Sequence, residues 1–583
     1  MFKKMIAIIT SVIILLTPIQ ASAVTWGEIV TGLQASDTFT DGKTTATRTS
    51  EGEYVISGGQ IGNPVEVSEL LQFSDSLKVL FRNIGIEQLN AHEDSGKTIA
   101  VILGSGSEVK GRVNVSAHGE DTNLSLTNEG KMGSLNAIVH NQAQAAIKNN
   151  GEITGGEITG GMNNEVHGEG SRLEFVNDKE GRITGGMDNG VSEKGELVFT
   201  NNGTISGERL FNGAFDGGML KNTNNGTINV TNVTNESLHN YARGGGSFVE
   251  STNNGTINGG VMNQADHEGS RNVAANNGTV NGQYEFYTGG GGEVSGENNG
   301  TVNSLYAGAD GGRVSAVNNG KVKEEIRADA SHESMKADVT VINNGEADRM
   351  YVSAGENGML NVENNGRLTG DGKTLITIEW EDGEFSRELS GELSIDVWDK
   401  GGTANVTNNG SAAAAFIGAA DGANVGLKND GQIGNGEGVP LSSYAAENGR
   451  LTVTGNGSLE PYTLKMEDGT ERAVSMIAQF GGNPSAEEIK RRVGEMVQFD
   501  SPGDYLVMVI TEDGNGETVF HYVPVHIENP QDFEDEYYEA ARFRHEMEMK
   551  RQEEAIGGVY GSPYWVKQLY LGYHSYNCLL YTS

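Results

Sequence analysis

Along most of this chain, apolar residues recur two positions apart, followed by an asparagine of the same parity and, two residues later, a glycine. Leu124 and Leu126 precede Asn128 in this way; Leu173 and Phe175 precede Asn177, Leu197 and Phe199 precede Asn201, and Val339 and Val341 precede Asn343. The same spacing returns with Leu360 and Val362 before Asn364, and with Val425 and Leu427 before Asn429. The intervening positions are mostly polar. Alternation of this kind is the mark of a strand with one buried face. Four residues beyond the asparagine an apolar side chain comes back, as at Met132, Ile153, Ile205, Ile228, Ile257, Val280, Val302, Val322, Leu368 and Ile433. Each unit therefore reads as strand, Asn-x-Gly corner, strand.

The tripeptide Asn-Asn-Gly occurs ten times, starting at Asn149, Asn201, Asn224, Asn253, Asn276, Asn298, Asn318, Asn343, Asn364 and Asn408, with looser copies at Asn128, Asn177, Asn429 and Gly455. The period is about 22 residues, which marks a repeat architecture. A hairpin at each Asn-Gly is the rival explanation, but the strand after each glycine is too short to pair back. The sequence predicts an all-β fold, a right-handed parallel β-helix over 101–460 with about fifteen coils. The gap of 44 residues between Asn364 and Asn408 reads as two coils, one with a degenerate signature. Parity puts the first asparagine inside. Stacked at ~4.8 Å, these amides are expected to bond to one another as a ladder. The second asparagine and the glycine are expected to take left-handed backbone angles. No proline occurs between Pro64 and Pro440, as expected where ladders use every backbone N–H.

In repeat style the 101–460 region resembles bacterial adhesin-like surface proteins with β-helical stalks, of the kind seen in autotransporter passengers. That resemblance implies a non-catalytic rod at the cell surface and brings no site residue with it. Before it, 24–100 reads as an N-terminal cap with irregular first coils. After it, 461–530 is β-rich. Its "PGDYLVMVITEDGNGETVFHYVPVHI" resembles the closing hairpin of bacterial immunoglobulin-like domains, interrupted by a helix predicted to start at Ser485. Residues 531–577 read as a charged helix and the start of a further segment. The last six residues, Cys578–Ser583, back-translate to a transposase sequencing adapter and are expected to be an artefact.

The opening residues 1–23 combine Lys3 and Lys4, an apolar run from Met5 to Leu16 and Ala21-Ser22-Ala23, the pattern of a secretory signal peptide. No later stretch is long and apolar enough to span a membrane. With 84 glycines and one cysteine, an exported chain of this kind takes its stability from repetition and not from disulfides. A net charge of −38 disfavours nucleic acid as a partner. Extracellular glycans or proteins are the expected ligands. Acidic positions before corner glycines, Asp188, Asp216, Asp310, Glu356, Asp421 and Glu447, form a candidate line for Ca²⁺, although Asp before Gly commonly serves only its own turn. His118, His140, His167, His239, His267 and His332 read as scattered, without metal spacing. No nucleophile motif or phosphate loop occurs, so no catalytic residue is assigned. The alternative is a carbohydrate-active β-helix enzyme, a lyase or glycoside hydrolase. For that, the non-repeating stretch 379–402 is the first place to look.

Overall fold

The structure, a computed structural model, describes residues 23–155, 161–230, 238–369, 374–380, 383–389, 392–397, 401–434, 440–445, 449–465, 471–480, 483–499, 502–512 and 518–527. Residues 1–22, the 531–577 segment and Cys578–Ser583 lie outside the described residues. About 65% of the chain is strand, and the parallel β-solenoid makes about 16 turns of roughly 23 residues each. Two compact units divide it: residues 1–233 with 237–239 and 246–250, and residues 234–236, 240–245 and 251–583.

The first unit opens with the helix Trp26–Ala35. Thr25 and Glu28 form a reciprocal capping box at its start, and Trp26, Ile29, Val30 and Leu33 are buried. Trp26 Nε1 donates to the Glu66 carbonyl at 3.0 Å, so the largest core side chain also leaves no orphan donor. Strands Thr38–Thr40, Thr45–Ser50 and Glu53–Ser57 follow as antiparallel neighbours. Glu53–Ser57 already pairs in parallel with Ser76–Arg82, and that strand with Thr98–Leu103. Parallel coils thus begin well before residue 101. The asparagine signature hides this, because Ile56, Phe81 and Leu103 hold the register position that Asn128 takes next.

From Asn123 onward most coils have three strands, and in some the second and third merge into one, as in Lys131–His140, Thr279–Gly289 and Thr301–Asp310. A six-residue strand ends in the first asparagine, as in Asn123–Asn128, Gln144–Asn149, Arg172–Asn177 and Glu196–Asn201. A short strand follows the glycine, for example Glu152–Ile153 or Thr204–Gly207. A longer third strand then completes the turn, for example Met162–His167, Met187–Ser192 and Leu210–Phe215. Within each unit the asparagine strands lie in one sheet, and the other two kinds in a second. The apolar residues that alternate in sequence are buried, and Phe175 stacks on Phe199 with centroids 5.4 Å apart.

The expected ladder is present. Asn128 Nδ2 donates to Asn149 Oδ1, Asn149 to Asn177, Asn177 to Asn201 and Asn201 to Asn224, at 2.7–2.8 Å. All run in one direction, so the amide dipoles add. In the second unit, Asn253, Asn276, Asn298, Asn318, Asn343, Asn364, Asn408 and Asn429 continue in the same manner at 2.7–2.8 Å. Asn128, Asn177 and Asn429, flagged only as loose copies, are full members.

Two backbone expectations fail. None of the second asparagines or glycines of the Asn-Asn-Gly corners has positive φ. The second asparagines form an exposed ladder of their own, Asn277 to Asn254 at 2.9 Å and Asn299 to Asn277 at 3.0 Å among them. The glycine is there for close approach. A Cβ on Gly278 would lie 2.0 Å from the Gly255 carbonyl oxygen, and one on Gly320 would lie 2.1 Å from that of Gly300. The 44-residue gap also has another cause. Asn364 pairs directly with Asn408, so the interval is one coil carrying an inserted antiparallel hairpin, Thr374–Trp380 with Gly383–Leu389.

The end of the second unit corrects the immunoglobulin-like expectation. Leu441–Ala445 pairs in parallel with Met476–Phe480, and Met476–Phe480 with Gly503–Glu512. Val453–Gly455 pairs in parallel with Val497–Phe499. The segment continues the solenoid sheets. The expected hairpin is Gly503–Glu512 with Thr518–Ile527, and the helix predicted at Ser485 is Ala486–Met496, with the Ser485 side chain accepting from Glu488 N. Ile489, Val493 and Met496 are its buried face.

Candidate functional site

Parity places every second residue of the third strands outside. In the second unit one outer column runs Glu285, Tyr306, Arg327, Tyr351, Ser394, Phe416. The neighbouring outer column runs Tyr287, Gly308, Asp329, Ser353, Asp396, Gly418, Tyr444. Aromatic rings and carboxylates are thus interleaved over successive rungs, on a rigid scaffold with adjacent strands ~4.8 Å apart. Glycine allows the rings to lie down: a Cβ on Gly308 would meet Tyr306 Oη at 2.6 Å, so the phenol lies across that residue. Arg327 links the columns. Its Nε donates to Asp329 Oδ2 at 2.7 Å, and its guanidinium lies 5.3 Å from the Tyr351 ring centroid.

Burial raises the phenol pKa of Tyr306, Tyr351 and Tyr287, so all three remain protonated donors at neutral pH. Asp329 Oδ1 and Asp396 Oδ1 are buried without a hydrogen-bond partner. Burial pushes the Asp396 carboxyl up to about 6. A folded pKa raised above the unfolded one makes this group most favourable to folding in acid, and that contribution is lost as pH rises through about 6. Asp396→Asn is expected to raise stability at pH 7 by about 1–3 kcal/mol, at ~1.4 kcal/mol per pKa unit, and to have little effect at pH 4. Thermal melting of both proteins at the two pH values checks it. An equal shift at both would show that the carboxyl does not carry the cost.

Other anticipated sites fare differently. The ten asparagines of the Asn-Asn-Gly set are brought together, as core and not as a binding surface. The carboxylate line does not form. Asp188 is aligned with Phe211 within a third strand, Asp310 sits at a strand end aligned with Gly289, and Asp216, Glu356 and Asp421 fall in turns beyond the third strands. Glu447 lies outside the described residues. Among the described residues no three His, Cys, Asp or Glu converge on a metal position. A shallow groove of about 450 Å³ in the first unit is lined by Glu108, Lys131, Glu152 and Arg182 among others. There the charges alternate in register, and Lys131 Nζ lies 3.3 Å from Glu152.

Two columns escaped the sequence reading. A second buried amide ladder lies on the third strands: Asn164 donates to Asn189 and Asn189 to Asn212, each at 2.7 Å, in the first unit, and Asn240 to Asn263 at 2.9 Å in the second. Its signal was an apolar residue two positions before the asparagine at the strand start, Met162, Met187, Leu210, Leu238 or Val261. Three of the six histidines are also not scattered. His118, His140 and His167 are direct register partners, and the ring of His92 leans on His118. Burial lowers the pKa of His118 and His140, and neighbouring imidazoles lower both further. His239 packs edge-on against Phe211, and His332 Nδ1 accepts two backbone N–H groups of its own turn. No family model, curated protein or solved structure matches this chain.

Proposed function

We propose that the chain is an exported, non-catalytic, adhesin-like solenoid of a bacterial cell surface that holds an extended glycan along the outer third-strand face of its second unit. The observation that carries this reading is the interleaving of Tyr287, Tyr306, Tyr351 and Phe416 with Asp329 and Asp396 on successive rungs. Half-buried rings offer flat apolar faces to sugar C–H groups at little entropic cost, since their rotamers are already fixed. The partly exposed Asp329 carboxylate accepts hydroxyl donors, and Arg327 supplies one cation. The leader-like residues 1–23 and the paucity of cysteine support export. The inserted hairpin enters between Leu368 and Glu392, in the same coil as Asp396. The 379–402 stretch singled out in the sequence overlaps it.

A glycan array and affinity electrophoresis with linear polysaccharides test this. Wild type is expected to bind at least one linear glycan, with Tyr306→Ala and Tyr351→Ala each weakening binding by about tenfold or more, as for a ring central to an interface. Binding that is absent at millimolar glycan, or equal in the variants, would overturn it. One observation favours a hydrolase as the second reading. Asp396, raised to about 6, and Asp329, hydrogen-bonded to Arg327, sit two rungs apart, ~9.6 Å at ~4.8 Å per rung. That is close to the upper limit for an inverting acid–base pair. New reducing ends released from a bound glycan, and lost in Asp396→Asn, would select it.

A further inference from the structure

In the first unit the outer third-strand face carries a histidine column. His118 and His140 stack with centroids 4.9 Å apart and planes at 27°, and His140 and His167 at 4.5 Å and 15°. His92 continues it, edge-on, 5.5 Å from His118. Three imidazoles, His118, His140 and His167, are held in line by the register of the sheet, whereas His92 is aligned with Ser116 and reaches His118 only through its ring edge. His118, His140 and His167 are half-buried, with outer edges facing water. His167 is oriented from both sides: Nδ1 lies 2.7 Å from Ser192 Oγ and Nε2 lies 3.5 Å from Glu165 Oε2. His118 Nε2 lies 3.0 Å from Ser116 Oγ. His140, between them, has no hydrogen-bonded nitrogen among the described residues.

We propose that this column is a chelating surface for divalent transition-metal ions, with His140 shared between two imidazole pairs, one with His167 and one with His118. Imidazole nitrogen suits Zn²⁺, Ni²⁺ and Cu²⁺. Two nitrogens at ~2.0–2.1 Å from one tetrahedral ion are ~3.3 Å apart. The stacked rings reach that separation by tilting towards one another about their Cβ–Cγ bonds, because their exposed edges meet no protein. The rings stack here and do not converge, so the ion, and not a preformed cage, draws them in. At His167 the ion takes Nε2, now 3.5 Å from Glu165 Oε2, while Ser192 at Nδ1 keeps the ring oriented, the usual support of a metal-bound histidine. Asp94, 3.8 Å from His92, together with Glu165 and Glu193 near His140, makes the surroundings of the column anionic.

The test uses full-length protein without an affinity tag, stripped with chelator and titrated with NiCl₂ by calorimetry at pH 7.5. Saturable binding is expected, together with retention on immobilised Ni²⁺. Copper-induced broadening should be confined to the imidazole resonances of this column. His140→Asn removes both pairs and is expected to weaken Ni²⁺ binding by about tenfold or more, whereas Asp188→Asn, outside the column, leaves it unchanged. Absence of saturable binding up to millimolar Ni²⁺, or a His140→Asn protein that binds like wild type, overturns the proposal. Should His140→Asn fail to fold, the resonance broadening in wild type decides: broadening elsewhere, or nowhere, refutes it.

Discussion

Asn298→Ala is expected to destabilise the coils around it by about 3–5 kcal/mol. In the folded protein Asn276 Nδ2 donates to Asn298 Oδ1 and Asn298 Nδ2 donates to Asn318 Oδ1, both at 2.7 Å, and all three residues are fully buried. Truncation removes the short acceptor from Asn276 Nδ2, which keeps only the Thr301 carbonyl at 3.5 Å, and the donor from Asn318 Oδ1. Each lost partner costs about 1–3 kcal/mol, and the emptied amide volume adds a cavity term. The substitution does not break one bond in isolation, because the ladder is polarised in one direction and loses its continuity at that rung. Asn299→Ala is the control. Its amide also bonds above and below, to Asn277 at 3.0 Å and from Asn319 at 2.9 Å, but both bonds are in water. It should change stability by less than ~1 kcal/mol. A long solenoid need not melt in one step, so the readout is peptide-level hydrogen exchange over Arg271–Asn276, Glu293–Asn298 and Gly312–Asn318. Similar protection in the two variants would mean that burial of the amide ladder carries no special weight.

Gly300→Ala should be as damaging, about 3 kcal/mol or more, by a different mechanism. Its Cβ would stand 1.9 Å from the Gly278 carbonyl oxygen, a group that already accepts from Thr301 N at 2.9 Å. No side chain is available to swing aside. The coils would have to part by more than an ångström and give up ladder bonds, a severe case of overpacking. Gly245, with nothing within 4 Å of the added carbon, is the matching control and its alanine variant should melt like wild type. If Gly300→Ala also melts within a degree or two of wild type, the glycine is not required by coil spacing.

These two residues mark where the sequence was informative and where it misled. The period and parity of Leu-x-Leu-x-Asn gave the strand, its buried face and the inward asparagine, because alternation in a strand maps one-to-one onto sides of a sheet. The same logic failed before Asn128. Ile56, Phe81 and Leu103 satisfy the inward position equally well, and an apolar residue there carries no signature. The glycine was recognised for the wrong reason. Local chemistry offers left-handed φ as the common cause of Asn-Gly, while the actual cause is a carbonyl about twenty residues away in sequence. The hairpin between Asn364 and Asn408 was mistaken for a coil because its length is close to one period.

The candidate sites divide in the same way. Tyr306, Arg327, Tyr351 and Phe416 are unremarkable one at a time, and so are His118, His140 and His167. Neither set shares a local motif, and the spacings between successive column members, Ser394 between Tyr351 and Phe416 included, vary from 21 to 43 residues and obscure the alignment. By itself the sequence determined that the chain winds into parallel coils with amides inside, since that follows from which side of a strand each residue faces. Which outward side chains become neighbours was decided only by the tertiary structure. Insertions and corner lengths set the register from coil to coil, and register is a property of pairing between strands, absent from either strand alone.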